Sequence, residues 1–290
     1  MYRNIFKIIA LTLLFGLGLI GRTVAQSRFS IYVGGGGMYY IGDLSPSPLP
    51  NLHFIKLCGN GGINYRFSPH FSLDLNYTKG GITADDKRAK DAFRINRNLH
   101  FNSHIDEISL RLVYDILNIQ YWRFVPYIFA GVGYFHFNPT ADGVALQPLG
   151  TEGQYIPGGS YPKPYKLWQV SLPVGIGLRH RFSMHFGWKV QLTWHYTLTN
   201  YLDDVSSETY PDSLKLLATP NGKTALHFSN RKIHQDNINV RGNPNNKDSF
   251  LDLSVSLIYY FTGKSKDRYE DCKDLYKNIR KEDGLEERPK

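Results

Sequence analysis

Long hydrophobic runs are almost absent from this sequence of 290 residues. One apolar run extends from Ile8 to Ile20, and no run of 18 apolar residues follows it. A helix needs about 20 apolar residues to cross a bilayer, so the rest of the chain is not expected to span a membrane by helices. If that part enters a membrane, it must do so as a closed β-barrel, which satisfies its backbone hydrogen bonds internally.

Motifs for nucleotide and nucleic-acid binding are also missing. The glycine run Gly34–Gly37 is not followed by the Lys-Ser/Thr pair and helix of a phosphate-binding loop, so we interpret it as a strand feature. The net charge is +9, yet no basic block alternates with stacking aromatic residues. The sequence therefore predicts neither a cofactor nor a nucleic-acid partner.

The N-terminus has the organisation of a secretory signal peptide. Arg3 and Lys7 precede the apolar run, and small residues end at Ala25. This pattern predicts cleavage after Ala25. The loss of Arg3, Lys7 and Arg22 would lower the net charge from +9 to +6. An uncleaved anchor is the alternative, which the shortness of the run disfavours. No cysteine follows the cleavage site, so a lipoprotein is not expected.

Strict period-two alternation marks residues 185–198, "HFGWKVQLTWHYTL", whose even positions are all apolar. Such alternation predicts a strand with one apolar face, and this one is longer than the usual five or six residues. A strand that crosses a bilayer needs about 9 to 11 residues and turns its apolar face to lipid. We expect lipid contact in this strand and in the last one at Trp188, Leu192, Trp194, Leu253 and Leu257.

Similar segments recur along the whole mature chain. Eight strands are predicted, at Phe29–Ile41, Phe54–Arg66, Phe71–Gly81, His104–Leu117, Phe124–Phe137, Lys166–Arg181, Phe186–Thr199 and Phe250–Phe261. An even number of strands with both termini on one side is what a bacterial outer-membrane barrel requires.

The lengths of the connections alternate in the same sense. Only a few residues follow the second, fourth and sixth strands, whereas long polar segments follow the first, third, fifth and seventh. Short periplasmic turns and long extracellular loops are typical of outer-membrane barrels. We therefore predict an all-β fold: an eight-stranded antiparallel up-and-down transmembrane barrel over 26–263, after a signal peptide at 1–25 and before a charged periplasmic tail at 264–290.

A soluble lipocalin-like barrel would also have eight strands, but its apolar faces would point inward. In the membrane interpretation, charged residues occupy inward positions: Lys56, Arg66, Asp74, Glu107, Arg111, Asp115, Arg179, Lys189 and Asp252. An eight-stranded barrel is just wide enough for side chains to fill. We expect these opposite charges, with His195 beside Thr193 and Thr197, to form a plug and not a general pore.

Candidates for chemistry concentrate in "NLHFNSHIDE", which contains His100, His104, Asp106 and Glu107. The spacing of the two histidines brings ligands together only in a helix, and this segment reads as the start of a strand. We therefore expect a hydrogen-bonded rim cluster, with metal binding or catalysis as the weaker alternative. In the longest loop, "PDSLKLLA" could begin a short helix capped by Asp212 or Ser213.

The two cysteines are expected to stay apart, because Cys58 faces the lumen in mid-strand and Cys272 lies in the tail. In an oxidising compartment, an exposed single thiol suggests an intermolecular disulfide, for which Cys272 is the candidate; an unpaired thiol is the alternative. The tail contains 9 Lys/Arg and 8 Asp/Glu around a thin apolar stripe. Such a segment is either disordered or ordered by a partner.

Six segments together resemble the PorG family of outer-membrane barrels of Bacteroidota, which is associated with the type IX secretion system. They are "GGGGMYYIGDL", "NLHFNSHIDEISLRLVY", "PYIFAGVGYFHFNPTA", "LQPLGTEGQ", "VSLPVGIGLRHRF" and "TNYLDDVS". The resemblance implies a non-enzymatic subunit that meets the periplasmic ring of the lipoprotein PorK and its partner PorN. It also makes the ring lipoprotein the natural disulfide partner of Cys272. The alternatives are a lipid-A-modifying enzyme and an adhesin or narrow channel unrelated to secretion.

Overall fold

The alternating segments of the sequence form long antiparallel strands. The computed structural model describes residues 28–45, 50–119, 122–158, 161–234 and 239–261. The predicted signal peptide and the predicted tail with Cys272 lie outside these residues. The strands are β1 (Phe29–Ile41), β2 (Lys56–Arg66), β3 (Phe71–Asp85), β4 (His100–Asp115), β5 (Phe124–Ala141), β6 (Trp168–Arg181), β7 (Phe186–Thr197) and β8 (Ser249–Tyr260), and a two-residue strand, Val144–Ala145, pairs with the end of β5.

The eight strands close into a barrel. Each strand pairs with its neighbours in the chain, and β1 also pairs with β8. The closing register joins Ile31 to Tyr259 and Tyr39 to Leu251. The predicted fold, an eight-stranded antiparallel up-and-down barrel, is confirmed.

The two ends of the barrel differ in the length of their connections, as predicted. Residues 67–70, 116–123 and 182–185 connect strands at one end, which we call the short-turn end. Residues 42–55, 86–99, 142–167 and 198–248 connect strands at the other, which we call the long-loop end.

Three strands extend further toward the long-loop end than predicted. β3, β4 and β5 each continue four residues beyond the predicted boundary, to Asp85, His100 and Ala141. The outward residues of these extensions are polar, so the apolar alternation stops before the strands do. Backbone pairing continues nonetheless, for example between Asp85 and His100. β2 begins two residues later than predicted, because residues 52–54 form a 3-10 turn.

Short helices lie within the long connections. They are α1 (Ala92–Arg97), α2 (Ser213–Leu217) and α3 (Gly222–Ser229). The side chain of Asp212 caps α2 by accepting from the backbone N–H groups of Leu214 and Lys215, which confirms the helix predicted in "PDSLKLLA". Among the described residues, no helix has the length and apolar character needed to cross a membrane.

The barrel is apolar outside and polar inside. Outward side chains such as Val33, Ile176 and Leu253 are 68%, 59% and 55% exposed, whereas inward residues such as Thr193 and Ser171 are fully buried. This arrangement is that of membrane-spanning barrels and the inverse of a lipocalin-like barrel. The soluble alternative is therefore inconsistent with the structure.

The glycines of β1 permit a close approach between strands. A Cβ atom at Gly34 would collide with the backbone of Val255 and Ser256 in β8, and one at Gly36 with the backbone of Leu253 and Ser254. Glycine at these inward positions lets the wall curve sharply where the first and last strands meet, as the sequence indicated.

Candidate functional site

Charged side chains fill the interior of the barrel. Eight of the nine charged residues predicted to face inward are buried, and together with His195 they form what we call the lumen network: Arg66, Asp74, Glu107, Arg111, Asp115, Arg179, Lys189, His195 and Asp252. Four basic side chains, those of Arg66, Arg111, Arg179 and Lys189, share the interior with four carboxyl groups. The desolvation cost of burying a charge is offset only where that charge is paired, so the pairing determines how these residues affect stability.

Near the short-turn end, one carboxylate holds two arginines. The carboxylate of Asp115 lies 2.5 Å from Arg66 and 3.1 Å from Arg179. The guanidinium group of Arg179 also lies over the ring of Tyr127, 4.5 Å from its centroid. These residues come from β2, β4, β5 and β6, so the cluster ties opposite walls of the barrel together.

In the middle of the barrel, a tyrosine lies between a carboxylate and an ammonium group. The hydroxyl of Tyr32 donates to Asp74 at 2.8 Å and accepts from the Nδ2 of Asn76 at 2.8 Å. The Nζ of Lys189 lies 3.2 Å from the centre of the Tyr32 ring. A cavity of about 20 Å³ adjoins this cluster, which is room for about one water molecule.

Further toward the long-loop end, His195 lies between two carboxylates. Its Nδ1 is 2.9 Å from Glu107, and its Nε2 is 2.8 Å from Asp252. Ser171 donates to the same oxygen of Glu107 at 2.7 Å, and the His195 ring stacks on Phe250 at 4.2 Å. The serine, the histidine and both carboxylates are buried. The prediction that His195 belongs to the plug is confirmed.

An aromatic layer covers the lumen network at the long-loop end. It contains Tyr40, Phe101, Phe135, Phe137 and Phe250, all fully buried, and Met38 and Ile105 pack into the same cluster. The edge-to-face pairs Tyr40–Phe101 and Phe135–Phe250 have centroid separations of 4.9 and 6.0 Å. The interior is thus closed first by ion pairs and then by packed rings.

Above this layer, the long connections fold over the barrel. We call the described parts of residues 42–55, 86–99, 142–167 and 198–248 the loop cap. Its centre is Arg241, which pairs with Glu152 and donates to the carbonyl of Asp204 at 2.9 Å. Arg97 forms a bidentate pair with Asp86 at 2.7 and 2.9 Å and donates to the carbonyl of Arg241 at 2.6 Å.

A second cluster in the loop cap consists of carboxyl groups around tyrosines. The hydroxyl of Tyr40 donates to Asp203 at 2.6 Å and to Asp248 at 3.0 Å, and that of Tyr165 donates to Asp204 at 2.7 Å. Burial, reinforced by the nearby Asp43 carboxylate, raises the pKa of Asp203 to about 8. Burial also raises the pKa of Asp204 to about 6, although Arg241 opposes the rise. Burial and the charge of Asp203 raise the pKa of Asp248 well above its ordinary value.

The prediction that Lys56 belongs to the plug is wrong. Lys56 has the inward parity, but its side chain is exposed. It is the first residue of β2, at the edge of the long-loop end, where the parity of the strand no longer places a side chain in the packed interior.

The four residues predicted to form a rim cluster do not lie on one side of the barrel wall. His100, His104 and Asp106 point outward, whereas Glu107 is buried inside. His100 and His104 are four residues apart on an extended strand, which separates them by about 13 Å. His100 contacts Asp142 at 3.0 Å. No group of three or more His, Cys, Asp or Glu residues in the described part of the chain is arranged to hold a metal ion.

The residues predicted to meet lipid all lie on the outer face of the barrel. Leu192, Trp194, Leu253 and Leu257 are exposed, and Trp188 is partly covered by Phe124 and His180. Cys58 is a buried free thiol. The disulfide candidate Cys272 lies outside the described residues, so its pairing stays a prediction.

The sequence analysis missed the centre of the loop cap, namely Arg241, Glu152 and Asp204. A signal exists, because "NYLDDVS" places two acidic residues between leucine and valine in a segment that is not a strand. Leucine and valine are residues that are usually buried, and Leu202 and Val205 are indeed buried here, so this pattern indicates a buried loop.

Comparisons with known proteins identify a family for this chain. A family model, "Domain of unknown function (DUF6089)", matches residues 7–223. No curated protein matches the chain. Similar solved structures include neisserial surface protein A (10% identity, 82% of this chain and 100% of that chain, TM-score 0.44), Ail of Yersinia pestis with a heparin analogue (11%, 80% and 97%, 0.38), and the outer membrane protein OprG of Pseudomonas aeruginosa (12%, 84% and 99%, 0.37). At these values the similarity does not extend to function, and the resemblance to the PorG family stays a prediction.

Proposed function

Because this chain belongs to the DUF6089 family, whose description assigns no function, we propose one: a non-enzymatic integral outer-membrane barrel that docks a periplasmic ring of the type IX secretion system. The observation that carries the proposal is the combination of an apolar outer face with an interior sealed by the lumen network and the loop cap. Such a molecule is held by the membrane but offers no path through it.

The outer surface supports insertion into a membrane. Apolar side chains cover the outward positions of β6, β7 and β8, and aromatic residues stand at the short-turn end, including Phe29, Phe71 and Phe124. An apolar band bordered by aromatic rings is the surface of outer-membrane barrels. In this proposal the short-turn end faces the periplasm and the long-loop end faces the outside.

The sealed interior argues for anchoring and against transport. The ion pairs of the lumen network leave a cavity of water size near Tyr32 and Asp74, and the aromatic layer lies above it. A hydrated pore would need a continuous polar channel. The purified barrel in planar bilayers is therefore expected to give no stable single-channel current, and a sustained current would contradict this part of the proposal.

The docking partner comes from the resemblance to the PorG family, which implies the lipoprotein PorK and its partner PorN. In this proposal the tail, residues 264–290, lies in the periplasm, and Cys272 forms a disulfide with the ring lipoprotein. The tail contains nearly equal numbers of basic and acidic residues, which suits recognition by a partner whose surface carries both positive and negative charges.

The geometry does not support the enzymatic alternative, because it separates the two histidines on which that alternative rests. A lipid-A-modifying site would need His100 and His104 to act together, but strand geometry separates them by about 13 Å, and His100 pairs with Asp142. Alanine at both positions is expected to leave the mass spectrum of lipid A and the secretion of cargo unchanged. A changed lipid A spectrum would restore the enzymatic alternative.

The decisive experiment is non-reducing electrophoresis with mass spectrometry on outer membranes from wild type, Cys272→Ser and Cys58→Ser. We expect a high-mass band that contains this chain and a periplasmic lipoprotein, that disappears on reduction and in Cys272→Ser, and that persists in Cys58→Ser. The Cys58 variant is the matched control because that thiol is buried in the barrel. A band that survives in Cys272→Ser, or membranes without any such band, would contradict covalent docking through the tail.

The ordered loop cap favours a second candidate, an adhesin-type surface protein. Buried pairs such as Arg97–Asp86 give the cap a fixed shape, which a binding surface needs. Deletion of residues 211–239, which carry α2 and α3, would separate the two functions. Loss of adhesion to extracellular ligands with normal secretion would favour the adhesin, and the opposite result would favour ring docking.

A further inference from the structure

The outer face of the barrel is chemically asymmetric. In the described strands β6, β7, β8, β1 and β2, the outward positions between the strand ends carry no lysine, arginine, aspartate or glutamate. On the β3–β5 face, Lys79 and Asp106 point outward within the strands, with His136 beside them on β5. A charge on the outer face of a barrel is costly unless it lies at the membrane boundary, so this face marks that boundary.

The outward side chains of β3 to β6 change from apolar to polar along one line that crosses the strands. Lys79, Asp106, His136 and Trp168 are successive cross-strand partners on β3, β4, β5 and β6. The next outward residues toward the short-turn end are Tyr77, Ile108, Tyr134 and Val170, and those toward the long-loop end are Gly81, His104 and Asn138.

A groove of about 320 Å³ lies across this boundary. Ile108 lines the groove, and the rings of Tyr134 and Trp168, which also line it, stack with centroids 5.1 Å apart and planes 14° apart. The ring of His136 contacts Trp168 at 4.9 Å. The side chains of Tyr134 and Trp168 are about half exposed, at 50% and 51%.

The polar edge of the groove is preorganised around one carboxylate. The Oδ1 atom of Asp106 accepts from the hydroxyl of Tyr77 at 2.7 Å and lies 3.2 Å from the Nζ of Lys79. Both contacts hold the carboxylate in place at the rim of the groove. The side chain of Lys79 remains 68% exposed. The edge thus offers an acceptor and a cation side by side.

These features suit one class of occupant. An exposed aromatic face binds the apolar face of a sugar ring, a fixed carboxylate accepts from hydroxyl or amide groups, and an exposed ammonium binds phosphate. Below the boundary, Ile108 and the neighbouring Leu110 and Val132 continue the apolar surface for an acyl chain. We propose that this groove binds the head group of a phosphorylated glycolipid in the outer leaflet.

The proposal rests on the membrane orientation proposed above, but not on the docking of any periplasmic ring. A protein segment is the competing occupant of such a groove. The position across the apolar–polar boundary favours the glycolipid, because a lipid supplies a sugar, a phosphate and an acyl chain in the required order. A bound protein segment would need its own polar and apolar parts in that order.

The test uses the full mature chain reconstituted in phosphatidylethanolamine–phosphatidylglycerol vesicles that contain a small fraction of purified lipid A. Native mass spectrometry after release in mild detergent would measure the lipids retained by wild type, Trp168→Leu, Asp106→Asn and Trp194→Leu. Trp194 is the matched control, since it is an outward tryptophan of similar exposure, 43% against 51%. Heat-dependent electrophoretic mobility would show that each variant is folded.

We expect wild type and Trp194→Leu to retain one lipid A in preference to phosphatidylglycerol. Retention should fall about tenfold in Trp168→Leu and in Asp106→Asn, the order expected for losing a stacking contact or a charged hydrogen bond. Equal losses in Trp168→Leu and Trp194→Leu would show general annular binding and overturn the proposal. Equal retention of phosphatidylglycerol would also overturn it, because a phosphate alone would then suffice.

A photoreactive residue at position 108 would identify the occupant in native outer membranes. A glycolipid adduct would support the proposal, and a protein adduct would overturn it in favour of a protein segment. Membrane integration of the chain is measured in the same fractions by carbonate extraction. A chain that extracts from the membrane would instead refute the proposed location, so the two failures are distinguishable.

Discussion

The lumen network and the loop cap bury charges in two different ways. In the lumen network, partners are brought together by strand register, so that Asp115 meets Arg66 and Arg179 because all three have the inward parity of a closed sheet. In the loop cap, Arg241 meets Glu152 through connections that have no repeating geometry. The first kind of pairing depends on the whole barrel, whereas the second depends on a few loop contacts.

The largest effect is therefore expected in the lumen network. Asp115→Ala leaves the buried guanidinium groups of Arg66 and Arg179 without their shared partner, which should lower the free energy of unfolding by about 3–5 kcal/mol. Urea titration of the barrel in vesicles would measure this change in the free energy of unfolding. Asp142→Ala is the control, because that carboxylate is 53% exposed and pairs only at the surface, where about 0–1 kcal/mol is expected. Equal costs would show that the lumen network is not energetically distinct.

The outer wall follows the same register as the lumen and provides the next test. Trp194→Arg should lower the free energy of unfolding in lipid bilayers by about 2–4 kcal/mol if the side chain meets lipid near mid-membrane. Trp194→Leu, which keeps the surface apolar, should cost much less. Unchanged stability and folding yield of Trp194→Arg in vesicles would contradict the outward, lipid-facing placement.

The loop cap is expected to weaken as the pH rises. Asp203 has a folded-state pKa of about 8, above its ordinary unfolded value, so the folded cap binds more protons over that interval and loses stability with increasing pH. Between about pH 6 and pH 8, the cap should lose about 1–2 kcal/mol. Hydrogen exchange of residues 198–234 at a series of pH values would measure this loss of stability. Asp203→Asn should flatten the dependence, and an equally steep profile in that variant would assign the effect to another group.

The smallest effect is expected from a single hydroxyl of the loop cap. Tyr165→Phe removes the 2.7 Å hydrogen bond to Asp204 and should destabilise the cap by about 1 kcal/mol without changing the stability of the barrel. Limited proteolysis of the loops, compared with urea unfolding of the strands, would separate the two. A matching loss of barrel stability would show that the cap and the barrel unfold as one unit.

Most of the barrel was predictable from the sequence because a period of two assigns every strand residue to one face. The same rule placed eight of nine inward charges correctly and failed at Lys56, where the strand begins and parity no longer implies burial. The ends of β3, β4 and β5 were missed because their outward residues are polar although the backbone pairing continues. The alternation of apolar and polar residues shows which face of a strand meets an apolar environment. It gives only indirect information about where the backbone hydrogen bonds of the strand end.

The loop cap was mostly unpredictable because its contacts join distant segments without periodicity. The helix at Ser213–Leu217 could be predicted, since the cap residue Asp212 precedes it directly in sequence. The pairing of Arg241 with Glu152, or of Tyr40 with Asp203, has no local signal that selects one partner over another. The groove around Asp106 was hidden for a related reason, because its residues come from four separate strands.

The seam between β1 and β8 has a consequence for assembly in the cell. Ser30 pairs with Tyr260, so the wall closes only when the last strand of the barrel reaches the first. Long-range closure of this kind is slow, and until it occurs both strands present unpaired edges that can aggregate. Asp248, which the loop cap requires, directly precedes β8. A nascent chain that stops short of its final strand therefore lacks both a closed wall and a finished cap, which makes maturation of the barrel all-or-none.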